Sequence, residues 1–173
     1  AIDGALRDRV VYVAGESSVV LNGLALTRGR TVLDLDRGGG IYVDYSNLTM
    51  NHSVVANCET LGDSAHGGGL YNDHGTVTLK NTTVGGNRVV DPGSLGGGIC
   101  TVFGAMELFD SAVSDNAGGG IYAYGPLTVS NSTVSRNAGV GILQDAGSLA
   151  VIQSAILGNS SSGQGGGIQI TTY

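Results

Sequence analysis

The chain has 173 residues and a formal charge of −6; 41% of it is hydrophobic, only 5% is aromatic, and tryptophan is absent. That length suffices for one domain whose core is built from Val, Leu and Ile rather than large rings. The acidic balance excludes non-specific binding to nucleic-acid phosphates, no apolar run is long enough for a transmembrane helix, and 31 glycines beside 2 prolines exclude collagen and proline-rich linkers.

In chain order, the opening "AIDGALRDRV" lacks a basic segment followed by an apolar one, so no signal peptide is predicted there. "SSVVLNGLALTRG" follows, with apolar residues at alternate positions (Val19, Leu21) and again at Leu26. This pattern then returns with different words. Leu26, Val55, Val84, Val113, Val134 and Ile156 form one column, and Val19, Leu48, Val77, Met106, Leu127 and Leu149 a second. Leu21, Met50, Leu79, Leu108, Val129 and Val151 make a third, and Ile41, Leu70, Ile99, Ile121, Ile142 and Ile168, most preceded by three glycines, a fourth. Alternation with period two predicts strands, and no stretch has helical spacing. Self-similarity at 20–30 residues is the mark of a solenoid, each unit burying its apolar face only against its neighbours. The predicted fold is all-β: a single-stranded right-handed parallel β-helix of about six to seven coils, one domain over residues 1–173.

The corners follow from the repeat. Glycine triplets permit positive φ where the chain turns. A polar pair (Asn81-Thr82, Asp110-Ser111, Asn131-Ser132, Gln153-Ser154) marks a second bend. Asn87, Asn116, Asn137 and Asn159 form a further column, with Gly29 and Cys58 in the earlier units. Asparagine tolerates the left-handed region, and its amide can bond to the amides one coil above and below, so a stacked ladder is expected. Asn72, outside that column, is a control position for it.

Three units carry insertions at 30–37 ("RTVLDLDR"), 59–66 ("ETLGDSAH") and 88–95 ("RVVDPGSL"), whereas the units after Asn116 close with almost no linker. Leaving from the same corner of successive coils, the insertions should stack into a shelf. It gathers Asp34, Asp36, Arg37, Glu59, Asp63, His66, Arg88 and Asp91, the densest set of ionisable groups in the chain. The shelf is either a set of solvated surface loops or a binding site. Asp44 and Asp73, four residues after their glycine triplets, would lie about 4.8 Å apart on adjacent coils. Stacked carboxylates suit a hard cation, but Val102 and Tyr124 break the row and turn aspartates explain themselves, so no metal site is assigned and no cofactor is expected. Cys58 and Cys100, two coils apart at different corners, are expected to be free and buried. Phe109, Ile152 and Leu157 place apolar side chains outward and are candidates for self-association.

At Gly118-Gly119-Gly120-Ile121 and Val134-Ser135-Arg136-Asn137 the sequence resembles bacterial surface and secreted right-handed β-helix proteins, including the polymorphic outer-membrane-protein type. The Gly-Gly-Ala-apolar and Phe-x-x-Asn motifs of that type have their counterparts there. The resemblance implies the fold and an extracellular or cell-surface location, and brings no catalytic motif with it. Two functions fit: a non-enzymatic adhesive or filament-forming scaffold, which is the favoured reading, and a polysaccharide-binding or polysaccharide-lyase-like domain using the shelf. The expected partners are other copies, stacked head-to-tail, or a surface polysaccharide. The chain starts partway through a coil and its tail, "GGGIQITTY", opens another, so either end-to-end stacking or excision from a longer solenoid is expected.

Overall fold

The computed structural model describes residues 1–161, 163 and 165–171; of the tail, Thr172 and Tyr173 lie outside the described residues. Every strand pairing is parallel, and the strands form three long sheets and one short one. The first sheet stacks Val11–Val13, Ile41–Asp44, Leu70–Asp73, Ile99–Val102, Ile121–Tyr124, Ile142–Ala146 and Ile168–Ile170. The second stacks Ser18–Asn22, Asn47–Asn51, Thr76–Lys80, Ala105–Phe109, Leu127–Ser130 and Leu149–Ile152. The third stacks Ile2–Asp3, Ala25–Thr27, Val54–Ala56, Thr83–Gly85, Ala112–Ser114, Thr133–Ser135 and Ala155–Leu157. One pass through the three sheets is one coil, so the chain is a parallel β-helix. The predicted columns are in register: Leu26 pairs with Val55, Val55 with Val84, Val84 with Val113, Val113 with Val134 and Val134 with Ile156.

The core is the stack of inward columns. Leu26, Ile41, Met50, Val55, Leu70, Leu79, Val84, Ile99, Leu108, Val113, Val129 and Val134 are fully buried. Burying each such side chain contributes about 1.5–3 kcal/mol, and because each touches only its own and adjacent coils, stability accumulates coil by coil.

The insertions begin as strands rather than loops: Arg30–Thr31, Glu59–Thr60 and Arg88–Val89 form the short fourth sheet. Its line continues as single bridges from Arg88 to Ala117, Ala138 and Ser160, where the coils close without an insertion. Beyond the strands the loops pack on one another. Leu35 N–H donates to Asp63 O, and Gly67 N–H to Leu95 O.

The corners hold the second layer of order. At the bend after the third sheet, Asn87 N–H donates to Asn116 Oδ1 (2.9 Å), Asn116 N–H to Asn137 Oδ1 (3.0 Å) and Asn137 N–H to Asn159 Oδ1 (3.0 Å). Each amide nitrogen also donates to the next Oδ1 and to a backbone carbonyl: Asn116 Nδ2 reaches Val84 O, and Asn137 Nδ2 reaches Val113 O. Cys58 stands at the same position one coil before Asn87, its N–H donating to Asn87 Oδ1 while its Sγ accepts from Gly29 N–H. The ladder asparagines are not themselves left-handed, which corrects the expectation. The positive φ falls one residue earlier, at Arg28, Asn57, Gly86, Asp115, Arg136 and Gly158, so asparagine is required there for its amide and not for its backbone.

A hydroxyl ladder runs along the bend after the second sheet. Ser53 N–H donates to Thr82 Oγ1, Thr82 N–H to Ser111 Oγ, Ser111 N–H to Ser132 Oγ and Ser132 N–H to Ser154 Oγ. The polar pairs therefore divide their labour: the first member takes the positive φ (Asn81, Asp110, Asn131, Gln153) and the second supplies the hydroxyl. At Gly69, Gly98 and Gly120 the third glycine of the triplet is fixed by the asparagine ladder. A Cβ on Gly120 would meet Gly141 O at 2.5 Å and Asn137 Nδ2 at 2.8 Å. Asn72 proves a poor control. It is fully buried, and its Nδ2 donates to Gly75 O, Thr101 Oγ1 and Ala105 O.

Candidate functional site

The shelf residues do not converge; the structure divides them among three places. Asp34, Asp63, Asp91 and His66 tie the loops together: Asp63 N–H donates to Asp34 Oδ1, Ser64 N–H and Ser94 Oγ–H to Asp91 Oδ2, and Leu95 N–H to His66 Nδ1. Burial, aided by the charge of Arg37, holds His66 below the usual histidine range, which keeps Nδ1 an acceptor at neutral pH. Local amides and a hydroxyl likewise hold the Asp91 carboxyl low.

Glu59 and Arg88 face a different corner. Glu59 is buried between Arg30 and Arg88, its register partners on the coils either side, with Arg30 Nε on Oε1 and Arg88 Nε on Oε2, both at 2.5 Å. Burial is the largest single influence on its carboxyl and raises it, but the hydrogen bonds and charges of the two arginines together outweigh burial and hold it low.

Asp36 and Arg37 belong to a third place, the outer face of the first sheet, where most of the aromatic residues stand. Alternate positions of that sheet face away from the core, and they carry Tyr12, Tyr42, Tyr71, Cys100, Tyr122 and Leu143 in one row, of which Tyr71 and Cys100 are buried. The next outward row holds Asp44, Asp73, Val102 and Tyr124, and the turn beyond it Tyr45, His74 and Phe103. Seven of the nine Tyr and Phe residues thus lie on one face, Phe109 being elsewhere. Tyr12 is 57% exposed and Phe103 61%. Rings stack along the axis: Tyr12–Tyr42 at 5.3 Å, Tyr42–Tyr71 at 5.4 Å, Tyr45–His74 at 4.4 Å, His74–Phe103 at 4.8 Å and Phe103–Tyr124 at 5.1 Å.

Carboxylates and guanidiniums are interleaved with the rings. Tyr12 OH donates to Asp44 (3.0 Å), Tyr42 OH to Asp73 (3.4 Å) and Tyr122 OH to Asp145 (2.9 Å). Burial and the charges of Asp73 and Asp44 push the Tyr42 hydroxyl up to about 12. Arg9 lies 5.7 Å from the Tyr12 ring centroid and 5.4 Å from that of Tyr42, and Arg37 lies 5.0 Å from Tyr71, all cation–π distances. Asp8, Arg9, Tyr12, Asp36 and Tyr42 line an open cleft of about 610 Å³, within the size range of ligand sites.

Asp44 and Asp73 are register partners on this face. Their oxygens are engaged by the tyrosine hydroxyls, and Asp73 Oδ1 lies 2.6 Å from His74 Nδ1. Among the described residues no three His, Cys, Asp or Glu side chains gather where they could hold an ion. A register shift after Ala123 pairs Tyr124 with Ala146, so Asp145 falls outside the row that holds Asp44 and Asp73. Cys58 and Cys100 are free and buried, and burial pushes the Cys58 thiol up to about 11. Ile152 (49%) and Leu157 (58%) are exposed, whereas Phe109 is only half-exposed.

The density of ionisable groups points to the insertions and away from the tyrosine rows. The signal was present: Tyr42, Tyr71 and Tyr122 each follow a glycine triplet by two positions. Arg30 escapes notice for another reason, since it looks like the start of a loop.

Comparison with curated proteins and with solved structures finds no match. A family model described as "Right handed beta helix region" does match, over residues 9–173. The stacked parallel coils agree with that match, and the chain belongs to the right-handed β-helix family.

Proposed function

We propose that the chain is a non-enzymatic, extracellular or cell-surface β-solenoid that adheres to polysaccharide along the outer face of its first sheet. One observation carries the reading: in a chain with so few aromatics, seven of the nine Tyr and Phe residues share one face, interleaved with Asp8, Asp36, Asp44, Asp73 and Arg9. Sugar rings offer C–H faces and hydroxyl edges, and a surface alternating ring faces with carboxylates meets both. Exposed rings on stiff strands also lose little freedom on binding. Stacking already occupies the faces between Tyr45 and His74 (5° between planes), so the rings offered to a ligand are those of Tyr12, tilted 45° from Tyr42, and Phe103, in an edge contact with Tyr124.

A binding role rather than a catalytic one is supported by the dispersal of the shelf. Its carboxylates serve amides, hydroxyls and arginines of the scaffold, leaving no acid and base aimed at a common point. The surface location rests on the resemblance to polymorphic outer-membrane-protein repeats. Affinity electrophoresis in gels carrying neutral or acidic polysaccharides tests the proposal. The wild-type chain should be retarded by at least one glycan and the Tyr12→Ala/Phe103→Ala variant should not. Equal mobility of both in every gel would refute it. A second reading, self-association, has its support in the outward Ile152 and Leu157. Concentration-dependent sedimentation that Leu157→Ser abolishes would favour it.

A further inference from the structure

The corner between the third and fourth sheets holds a pocket that adhesion along the first sheet does not use. It has a volume of about 340 Å³ and is lined by Leu6, Arg28, Arg30, Asn57, Glu59 and Arg88, with Cys58 and Gly86 completing the wall. Three of the eight basic residues of an acidic chain therefore meet in one concavity. Arg30 and Arg88 reach Glu59 from opposite coils, each through Nε and Nη2. Arg28 engages Asp3 in the same way. Each guanidinium thus commits one edge to a carboxylate and leaves Nη1 without a hydrogen-bond partner among the described residues. Three guanidinium charges face two carboxylates, so the pocket holds one positive charge in excess within a molecule of net charge −6.

The arginines are also held in place. Glu59 is 6% exposed and fixes two of the guanidiniums from the floor, while Asn57 and Gly86, both left-handed, turn the backbone past the opening. A planar fork with a free edge, preorganised in a concave site, matches the oxygens of a carboxylate, sulfate or phosphate.

We propose that this pocket binds an oxyanion group of an acidic ligand through the free guanidinium edges of Arg28, Arg30 and Arg88, with Glu59 as the internal counter-ion that sets its affinity. The site is separate from the aromatic face and does not depend on it. Glu59 neutralises charge that the ligand would otherwise meet, so removing its charge should strengthen binding, a result that a purely structural ion pair does not give.

The test is a titration of the folded chain with sodium phosphate, sulfate or acetate at pH 7 and constant ionic strength set with chloride, following the arginine Nε–Hε resonances by NMR. At least one of the three anions should give saturable shifts at the arginines of the pocket. Half-saturation should move about tenfold higher in Arg88→Gln and in Arg28→Gln, the loss of one charge-assisted hydrogen bond. It should move to lower concentration in Glu59→Gln. The three anions distinguish a tetrahedral from a planar preference. Shifts that fail to saturate with every anion, or that are the same in wild type and both arginine variants, would overturn the proposal.

Discussion

The corner that carries the asparagines and the face that carries the tyrosines are drawn from the same repeat, yet they use it differently. Along the ladder the asparagine side chains are consumed by the neighbouring coils: Asn116 accepts from Asn87 N–H and Nδ2 and donates to Val84 O and Asn137 Oδ1. These amides keep nothing to offer a ligand. On the tyrosine face ring contacts run from Tyr12 to Tyr71 and from Tyr45 to Tyr124, but Tyr12, Tyr45 and Phe103 remain more than half exposed. Closed self-satisfaction is the sign of structure, and repeated but unfinished contact is the ground on which a partner is proposed for this face.

Substitutions at the corner should therefore damage folding, and those on the face should damage binding. The largest effect is expected from Asn116→Leu, which takes the side-chain partner from Asn87 N–H, from Val84 O and from one N–H of Asn87 Nδ2, the other still reaching Val55 O, in a buried bend. At about 1–3 kcal/mol for each unsatisfied group, the loss should be about 3 kcal/mol or more, measured by denaturant unfolding. Gly120→Ala comes next, at about 1–3 kcal/mol for overpacking against Asn137 and Gly141. Gly167 holds the same place in the last triplet, where an added Cβ would have nothing nearer than 3.8 Å, so Gly167→Ala should leave the thermal midpoint nearly unchanged. If both substitutions cost the same, the glycine–asparagine coupling is wrong.

His66 gives a smaller, pH-dependent effect. Its folded form is held neutral below the ordinary value of 6.5, so the unfolded chain takes up the proton first as pH falls. Its contribution is complete above about pH 6.5 and declines below it, by at most about 1.4 kcal/mol per pH unit. In His66→Asn that part of the acid sensitivity should vanish; an unchanged slope between pH 7 and 5 would remove His66 as its source. The smallest stability change is expected for Tyr12→Ala, about 0.5 kcal/mol or less, as for other exposed positions.

The comparison also explains what the sequence could and could not reveal. Inward columns such as Leu26–Val55–Val84 were legible because every coil meets the same interior, so the same residue type returns at the same place. The asparagine column was legible for the same reason, although the left-handed residue proved to be its predecessor. Outward residues meet no such constraint. Cys100 and Leu143 interrupt the tyrosine row at no cost to the fold, which conceals it from a search for repeats. Within the insertions, side-chain direction has no period to follow. Glu59 and Asp63 looked equivalent there, yet Glu59 sits on a strand between two arginines and Asp63 on a loop tip.

The central claim is that the tyrosine face is kept for a glycan, and the most direct measurement is an aromatic carbon–proton NMR titration with a panel of neutral and acidic oligosaccharides. At least one of them should shift the ring resonances of Tyr12, Tyr42 and Phe103 saturably, while the amide signals of Asn87, Asn116 and Asn137 stay in place. Shifts confined to the insertions at 30–37, 59–66 and 88–95, or no ring shift with any sugar, would contradict it.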